Sequence, residues 1–521
     1  MPDYPKQNDR HKVTAVHKAN IMKFSDGLGK DWTAHLPAGI AADEVNLLAD
    51  GSLTGRIERQ WRTGASWPQL RDVDGAWLSS LELEERTRVA GNRLRAAGLK
   101  RGDRVVLIAG TSARWLIAYL GALRAGLVVV PVNPAYTAGE IGRIVGNAKP
   151  SAAVVEANEQ ATCVEQTPGG PVLITGVDLD LPDGGTDELE PVSGEDPALL
   201  IYTSGTTGEP KGALLSHANL LASATAIGLA WRWQPDDRLL LSLPLFHVHG
   251  LGAGVNGTLC AGASVELRAK FDPDDVARHA ATAVTLFFGV PAMYHRLAAK
   301  GATKALSRLR LLVSGSAPLP ATLAREIERH AGQLPLERYG MTETVMLTSN
   351  PYEGERKPGT VGFPLPGVQC RLAEDGEVLV KGQNVIAGYY GRSAADAEAF
   401  TADGWFRTGD LGELDDDGYL TLVGRSKELI ITGGYNVYPR EVEEVLGSHP
   451  DVSEVAVVGR ASEKWGEEVT AVVVAVRSVA ERELIEYAAQ ELAPYKVPKR
   501  IEFAQELPRN ALGKLVREKL K

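Results

Sequence analysis

Between positions 202 and 212 the chain reads Tyr-Thr-Ser-Gly-Thr-Thr-Gly-Glu-Pro-Lys-Gly. Gly205 and Gly208 let backbone N–H groups close on an anion. The hydroxyls of Thr203, Ser204, Thr206 and Thr207 add donors, and Lys211 adds positive charge. That is chemistry suited to a triphosphate. The common nucleotide loop, G-x-x-x-x-G-K-[ST], opens directly into a helix. Here Pro210 precedes Lys211, and residues 212–216 read as a second short strand. A Gly/Thr-rich surface turn without chemistry has the same composition, so other stretches must decide.

Several do carry reactive side chains. Residues 240–250 run as an apolar strand that breaks at Pro244 and then presents Phe246, His247 and His249. A lone histidine is ordinarily a hydrogen-bonded structural residue, and His249 is read that way. Residues 309–319 pass from an apolar strand into a turn of small residues, Gly315-Ser316-Ala317-Pro318. By period 2, Arg310, Leu312 and Ser314 share one face of that strand. Acids and hydroxyls recur in Arg338-Tyr339-Gly340-Met341-Thr342-Glu343 and in Arg407-Thr408-Gly409-Asp410. Asp415–Asp417 precede Gly418 and read as a hairpin turn, not a metal site.

The elements that must position these groups are legible from residue 81 onward. Helices are predicted over 82–97, 113–125 and 139–147, with strands over 104–109, 127–131 and 152–155. Alternation of this kind builds a parallel sheet with right-handed crossovers. Ser216 is an N-cap candidate for a helix over 218–229. Beyond residue 430, strands at 452–458, 469–476 and 500–503 and a helix at 482–492 form a small α+β unit. Pro439 suits a first helical position and Gly447 a C-terminal cap. Residues 1–75 show no sustained period and are expected to be a loosely structured segment folded back on the main domain.

With 521 residues, the chain is expected to form more than one domain. Its net charge of −10 comes without a basic run, which argues against nucleic acid as a partner. Cys163, Cys260 and Cys370 are too scattered for a zinc site or a disulfide framework. Residues 1–30 lack a signal-peptide core, and no run of 18 apolar residues occurs, so a cytoplasmic location without a membrane span is expected.

Taken together and in this order, the motifs resemble the adenylate-forming superfamily of acyl-CoA synthetases, peptide adenylation domains and luciferases, over residues 80–521. The resemblance implies an α/β fold: a large N-terminal domain of parallel-rich sheets with flanking helices (1–424), a hinge (425–427) and a small mobile C-terminal α+β domain (428–521). It implies an ATP-dependent acyl-CoA synthetase. A carboxylate and ATP give acyl-AMP and pyrophosphate, and CoA then gives acyl-CoA and AMP.

Roles follow by resemblance. Residues 203–211 hold the phosphates. Gly315, Ser316, Ala317 and Pro318 lie against adenine, Tyr339 stacks on it, and Arg338, Gly340, Met341 and Thr342 complete the nucleotide site. Glu343 holds Mg²⁺, Asp410 takes the ribose, and Arg425 is the second ribose or phosphate contact. His247, Gly289, Tyr294, Arg310, Ser314 and Met341 line the acid pocket. Lys514 is the adenylation lysine, Lys427 the hinge, and Gly433, Gly434 and Tyr435 the loop that meets CoA. Residues 244–251, 314–320 and 338–367 look most like malonyl-CoA synthetases, with Arg310 as the contact for a second carboxylate. Short- or medium-chain fatty acids are the runner-up and aromatic acids third. A ligase that loads a carrier protein and a nucleotide-binding regulatory protein are the readings from other classes.

Overall fold

The computed structural model describes residues 31–63, 66–203, 211–391, 393–462, 465–509 and 515–521. Two large sheets form the bulk of the molecule. In the six-stranded sheet the order is Leu173–Gly176, Ala152–Val155, Arg104–Ile108, Val128–Pro131, Pro197–Thr203 and Lys211–Ser216. All neighbours in it are parallel except the last pair, which is an antiparallel hairpin with Thr203 opposite Lys211. Thr203 and Lys211, which flank the predicted phosphate loop, thus face each other at a sheet edge.

The nine-stranded sheet is parallel through its centre: Leu336–Tyr339, Leu311–Ser314, Leu286–Gly289, Arg238–Leu241 and Ser264–Leu267 lie side by side. Its strands are buried on both faces, which explains their near-continuous apolar sequences. One core holds Leu241, Phe288 and Val313; the other, on the opposite face, holds Leu240, Phe287 and Leu312. An antiparallel four-stranded sheet spans Val368–Arg425. A five-stranded sheet with helices Pro439–Gly447 and Glu481–Glu491 makes the smaller C-terminal domain. The fold is the expected mixed α/β one.

Helix starts follow local chemistry. Ser216 accepts from the Asn219 backbone N–H at the start of His217–Ala230, and Ser79, Ser112 and Thr137 cap their helices likewise. Pro439 begins its helix, but the last helical residue is Gly447 and the cap is Ser448, in a right-handed conformation that needs no glycine.

The N-terminal expectation needs correcting. Helix Leu53–Thr63 buries Leu53, Ile57 and Trp61, spaced four apart on one face. The Trp61 indole donates to Gln69 at 2.5 Å, and strand Pro68–Arg71 pairs in parallel with Ser264–Leu267. From residue 53 this segment is part of the core. Among the described residues no helix is long and apolar enough to cross a membrane.

Candidate active site

Strand Leu336–Tyr339 delivers two side chains to opposite faces. The Tyr339 phenol donates to Asp410 at 2.5 Å, and the solvent-facing Arg425 lies 3.2 Å from the same carboxylate. Asp410 and Arg425 face each other across the strand pair Phe406–Leu414 and Leu420–Arg425. Burial, with Asp410 adding to it, pushes the Tyr339 phenol well up, so it remains a donor. These three residues therefore meet, as an aromatic ring beside a carboxylate and a guanidinium.

Glu343 lies in the turn that follows. It is buried, and its Oε1 accepts from the Tyr389 hydroxyl at 2.8 Å. Burial raises its pKa; Tyr389 lowers it, Asp410 raises it and Arg425 lowers it. On the hairpin, Lys211 places its ammonium 5.4 Å from the Tyr389 ring centroid. Thr203, Lys211, Tyr389 and Glu343 thus line one region. Ser204, Gly205, Thr206, Thr207, Gly208 and Lys514 lie outside the described residues.

Two residues here have strained backbone. Ser316 has φ +70° and Val345, a β-branched residue, has φ +58°. Such conformations cost about 1–3 kcal/mol each and persist where the surroundings enforce them. A Cβ at Gly340 would lie 2.1 Å from the Val345 carbonyl oxygen, so only glycine allows this tight turn before Glu343. Gly315 is buried beside the exposed Ala317 and Pro318. Met341 and Thr342 are half-buried at the turn.

The histidine stretch leads into a turn of π-helix, His249–Asn256. His247 Nδ1 accepts from the His249 backbone N–H at 3.2 Å. His249 is buried, 3.2 Å from Ser316 Oγ through Nδ1 and stacked near Phe288. It bears out the structural reading and ties the histidine turn to the small-residue turn. The glycines after it admit neighbouring protein: a Cβ at Gly252 would lie 2.7 Å from Val345 and one at Gly250 2.4 Å from the Pro244 carbonyl oxygen.

Residues 57–390 match the AMP-binding enzyme family, and residues 441–514 match the AMP-binding enzyme C-terminal domain. The chain belongs to the AMP-binding enzymes. It is 38% identical to feruloyl-CoA synthase of Amycolatopsis sp over 463 residues, which cover 85% of this chain and 93% of that protein. It is 33% identical to malonate–CoA ligase of Arabidopsis thaliana over 499 residues, 85% of this chain and 82% of the relative. ATP-bound MatB from Rhodopseudomonas palustris has the same fold, with a TM-score of 0.84 and 37% identity over 90% of this chain and 98% of that one. This AMP-binding enzyme falls in the acyl-CoA synthetase branch of the adenylate-forming superfamily. It is an AMP-forming acid–thiol ligase that uses a carboxylic acid, ATP and CoA.

Within this AMP-binding enzyme, part of the expected acid pocket is not where the sequence reading put it. The Arg310 guanidinium is engaged by both oxygens of buried Asp237, donates to the Trp231 carbonyl oxygen at 3.0 Å and lies over the Tyr352 ring. It sits just before the strand that ends at Ser314, four residues away and so about 13 Å from that end. Its charge is already paired, so it does not serve a second carboxylate. Tyr294 is fully buried in the Phe287 core and donates to the Val313 carbonyl oxygen at 2.9 Å. Gly289 faces Phe287 and Tyr294, and Ser314 shares the Leu312 face. These side chains belong to the packing behind the sheet.

Arg338 is different. It is 4% exposed, and its Nε and Nη2 have no hydrogen-bond partner among the described residues. Burial pushes its pKa down to about 9. Its guanidinium lies against Gly315, where a Cβ would come within 2.5 Å of Cζ. It shares the face of Leu336, in the core of Val313 and Phe288 against which His249 stacks. A charge in the middle of a buried strand was the signal for it in the sequence.

Gly433 and Gly434, with φ +57° and +82°, form the turn between Ile430–Thr432 and Tyr435–Val437. Tyr435 is exposed and stacked on Tyr495 at 4.7 Å. Lys427 lies in the 3₁₀ turn Ser426–Glu428, between strand Leu420–Arg425 of the four-stranded sheet and strand Ile430–Thr432 of the five-stranded one. Tyr389 is the residue at the site that sequence reasoning missed. Its only signal is a tyrosine pair after Gly388.

Proposed function

We propose that this ligase acts on a small dicarboxylate, malonate or methylmalonate, with Arg338 receiving the carboxylate that does not react. The observation that carries the reading is a buried guanidinium with two unpaired donors next to the small-residue turn and His249. A buried cation without a counter-charge is costly. An anionic substrate group would complete it, whereas a fatty or aromatic acid would leave it unpaired. The sequence likeness at 244–251, 314–320 and 338–367 and the relatives that act on malonate support the same reading.

The chemistry divides between the two domains. One substrate carboxylate oxygen attacks the α-phosphorus, and pyrophosphate leaves. The CoA sulfur, having lost its proton, then attacks the acyl carbon, and AMP leaves. The chain must offset repulsion between an anionic acid and a polyanionic triphosphate, mainly by positioned charge. Residues 203–211 bind the β- and γ-phosphates, Tyr339 packs on adenine, and Asp410 with Arg425 binds the ribose. Lys514 stabilises the charge shared by carboxylate and α-phosphate. Glu343 is a buried carboxylate with the Tyr389 hydroxyl on its Oε1, and a carboxylate is the hard oxygen ligand that fits Mg²⁺. Bound there, Mg²⁺ supplies charge neutralisation for the triphosphate. The C-terminal domain then turns about Lys427, withdrawing Lys514 and presenting Gly433–Tyr435 to CoA.

Pyrophosphate release, measured with malonate, methylmalonate, propionate, octanoate and ferulate, with and without CoA, tests the reading. Malonate or methylmalonate should give the highest kcat/KM and require CoA for turnover. A preference for octanoate or ferulate would overturn the dicarboxylate assignment.

A further inference from the structure

Glu343 is held by a strap formed by residues 383–390. Asn219 anchors the strap by donating to the Gln383 and Val385 carbonyl oxygens at 2.8 and 3.0 Å. From the strap, Asn384 donates to the Thr344 and Met346 carbonyl oxygens at 2.9 and 2.7 Å, and the Ile386 N–H donates to the Glu343 carbonyl oxygen at 2.9 Å. The backbone around Glu343 is thereby fixed. Tyr389 fixes the side chain, through its hydroxyl to Oε1 at 2.8 Å.

Tyr389 is itself held from three directions. Its N–H donates to Asp396 Oδ1 at 2.6 Å, and its backbone bridges to Ala213 on the phosphate hairpin. The next residue, Tyr390, donates its N–H to the Gly212 carbonyl oxygen at 2.8 Å. Lys211 lies over the Tyr389 ring. A Cβ at Gly388 would lie 2.8 Å from the Asp396 carboxylate, so a larger residue there would push on the group that holds the Tyr389 N–H. One side chain therefore joins the lysine of the phosphate hairpin to the buried carboxylate of the nucleotide turn.

We propose that Tyr389 is a positioning residue for the metal-binding carboxylate. Its hydroxyl holds Glu343 in one rotamer, so that the carboxylate meets the cation of the metal–ATP complex without reorganising. The proposal rests on the reading of Glu343 as the metal ligand. Partners that orient a ligating carboxylate typically carry tenfold or more in metal affinity. A neutral phenol is a donor at neutral pH and leaves the carboxylate its charge.

The test is Mn²⁺ binding to the ATP complex without acid, read by electron paramagnetic resonance, where no turnover occurs. Tyr389→Phe keeps the ring, its packing and its backbone contacts. It should weaken Mn²⁺ binding by about tenfold or more. Binding of metal-free ATP and thioester formation from supplied acyl adenylate should stay unchanged. Glu343→Gln should weaken Mn²⁺ at least as much. If Glu343→Gln weakens Mn²⁺ and Tyr389→Phe does not, Tyr389 has no positioning role. If neither does, the metal reading of Glu343 fails first. Equal losses in both half-reactions with a lowered Tm would make Tyr389 only a structural residue and overturn the proposal.

Discussion

Two arginines carry opposite expectations. Arg310 neutralises buried Asp237. Arg310→Met should cost about 3 kcal/mol or more, because it strands a buried carboxylate, and it should leave the order of acid preference unchanged. Thermal unfolding and the acid panel check both parts. Arg338→Met does the reverse: it removes a buried charge that the protein does not pair, so it should stabilise the free enzyme by about 1–2 kcal/mol. A lowered Tm would show that Arg338 is a structural cation. The chain's chemistry was partly legible at this scale. Tyr339, Asp410, Arg425, Glu343, Thr203 and Lys211 stand in motifs whose residue types suggest their contacts. Arg310 was misplaced because period 2 gives a face but not a partner, and its partner Asp237 lies 73 residues away in the chain. Tyr389 was missed because a tyrosine after a glycine has no periodic signature.

The strand Leu336–Tyr339 binds the site to the domain contact. On it, Glu337 accepts from the Gly359 and Leu319 backbone N–H groups at 2.9 and 3.3 Å. Helix Pro439–Gly447 brings Arg440 and Glu444 against it, with Arg440 donating to the Gly359 carbonyl oxygen at 3.2 Å. Burial pushes Glu337 up to about 7 from an ordinary 4.5. Between those values the folded chain keeps a proton that the unfolded chain has lost. Stability from this group therefore falls as pH rises through that window and is level above it. Glu337→Gln should flatten the decline of Tm between pH 5 and pH 8; an unchanged slope would show that Glu337 does not titrate there. At this scale most strands and helices beyond residue 80 were legible, because apolar runs and Ser or Thr caps mark them. Helix Leu53–Thr63 was not, since its apolar stripe is only Leu53, Ile57 and Trp61, with the helix-weakening Gly55 among them. The π-helical turn was unreadable because its glycines carry no helical signal of their own.

The two-step reaction belongs to the whole molecule. A lysine that stabilises adenylate formation and a loop that receives CoA cannot occupy the site together if both come from one small domain. Lys514→Ala should lower adenylate formation by about 10²–10³ and spare thioester formation from supplied acyl-AMP. Stopped-flow measurement of each half-reaction checks this, and equal losses would contradict it. Lys427→Pro, which fixes φ at the junction, should damage the thioester step selectively. The ordered series of motifs made the architecture legible from the sequence, whereas the acid depends on which buried charge lacks a partner, and that only packing reveals. The central claim is that Arg338 selects a second carboxylate, and the ratio of kcat/KM for malonate to that for propionate tests it most directly. In the wild-type enzyme this ratio should be on the order of 10² or more, since a site built to pair a substrate charge rejects the analogue lacking it. Arg338→Met should bring the ratio close to one, mainly through loss of malonate turnover. A wild-type preference for propionate, or a ratio untouched by Arg338→Met, would contradict the account.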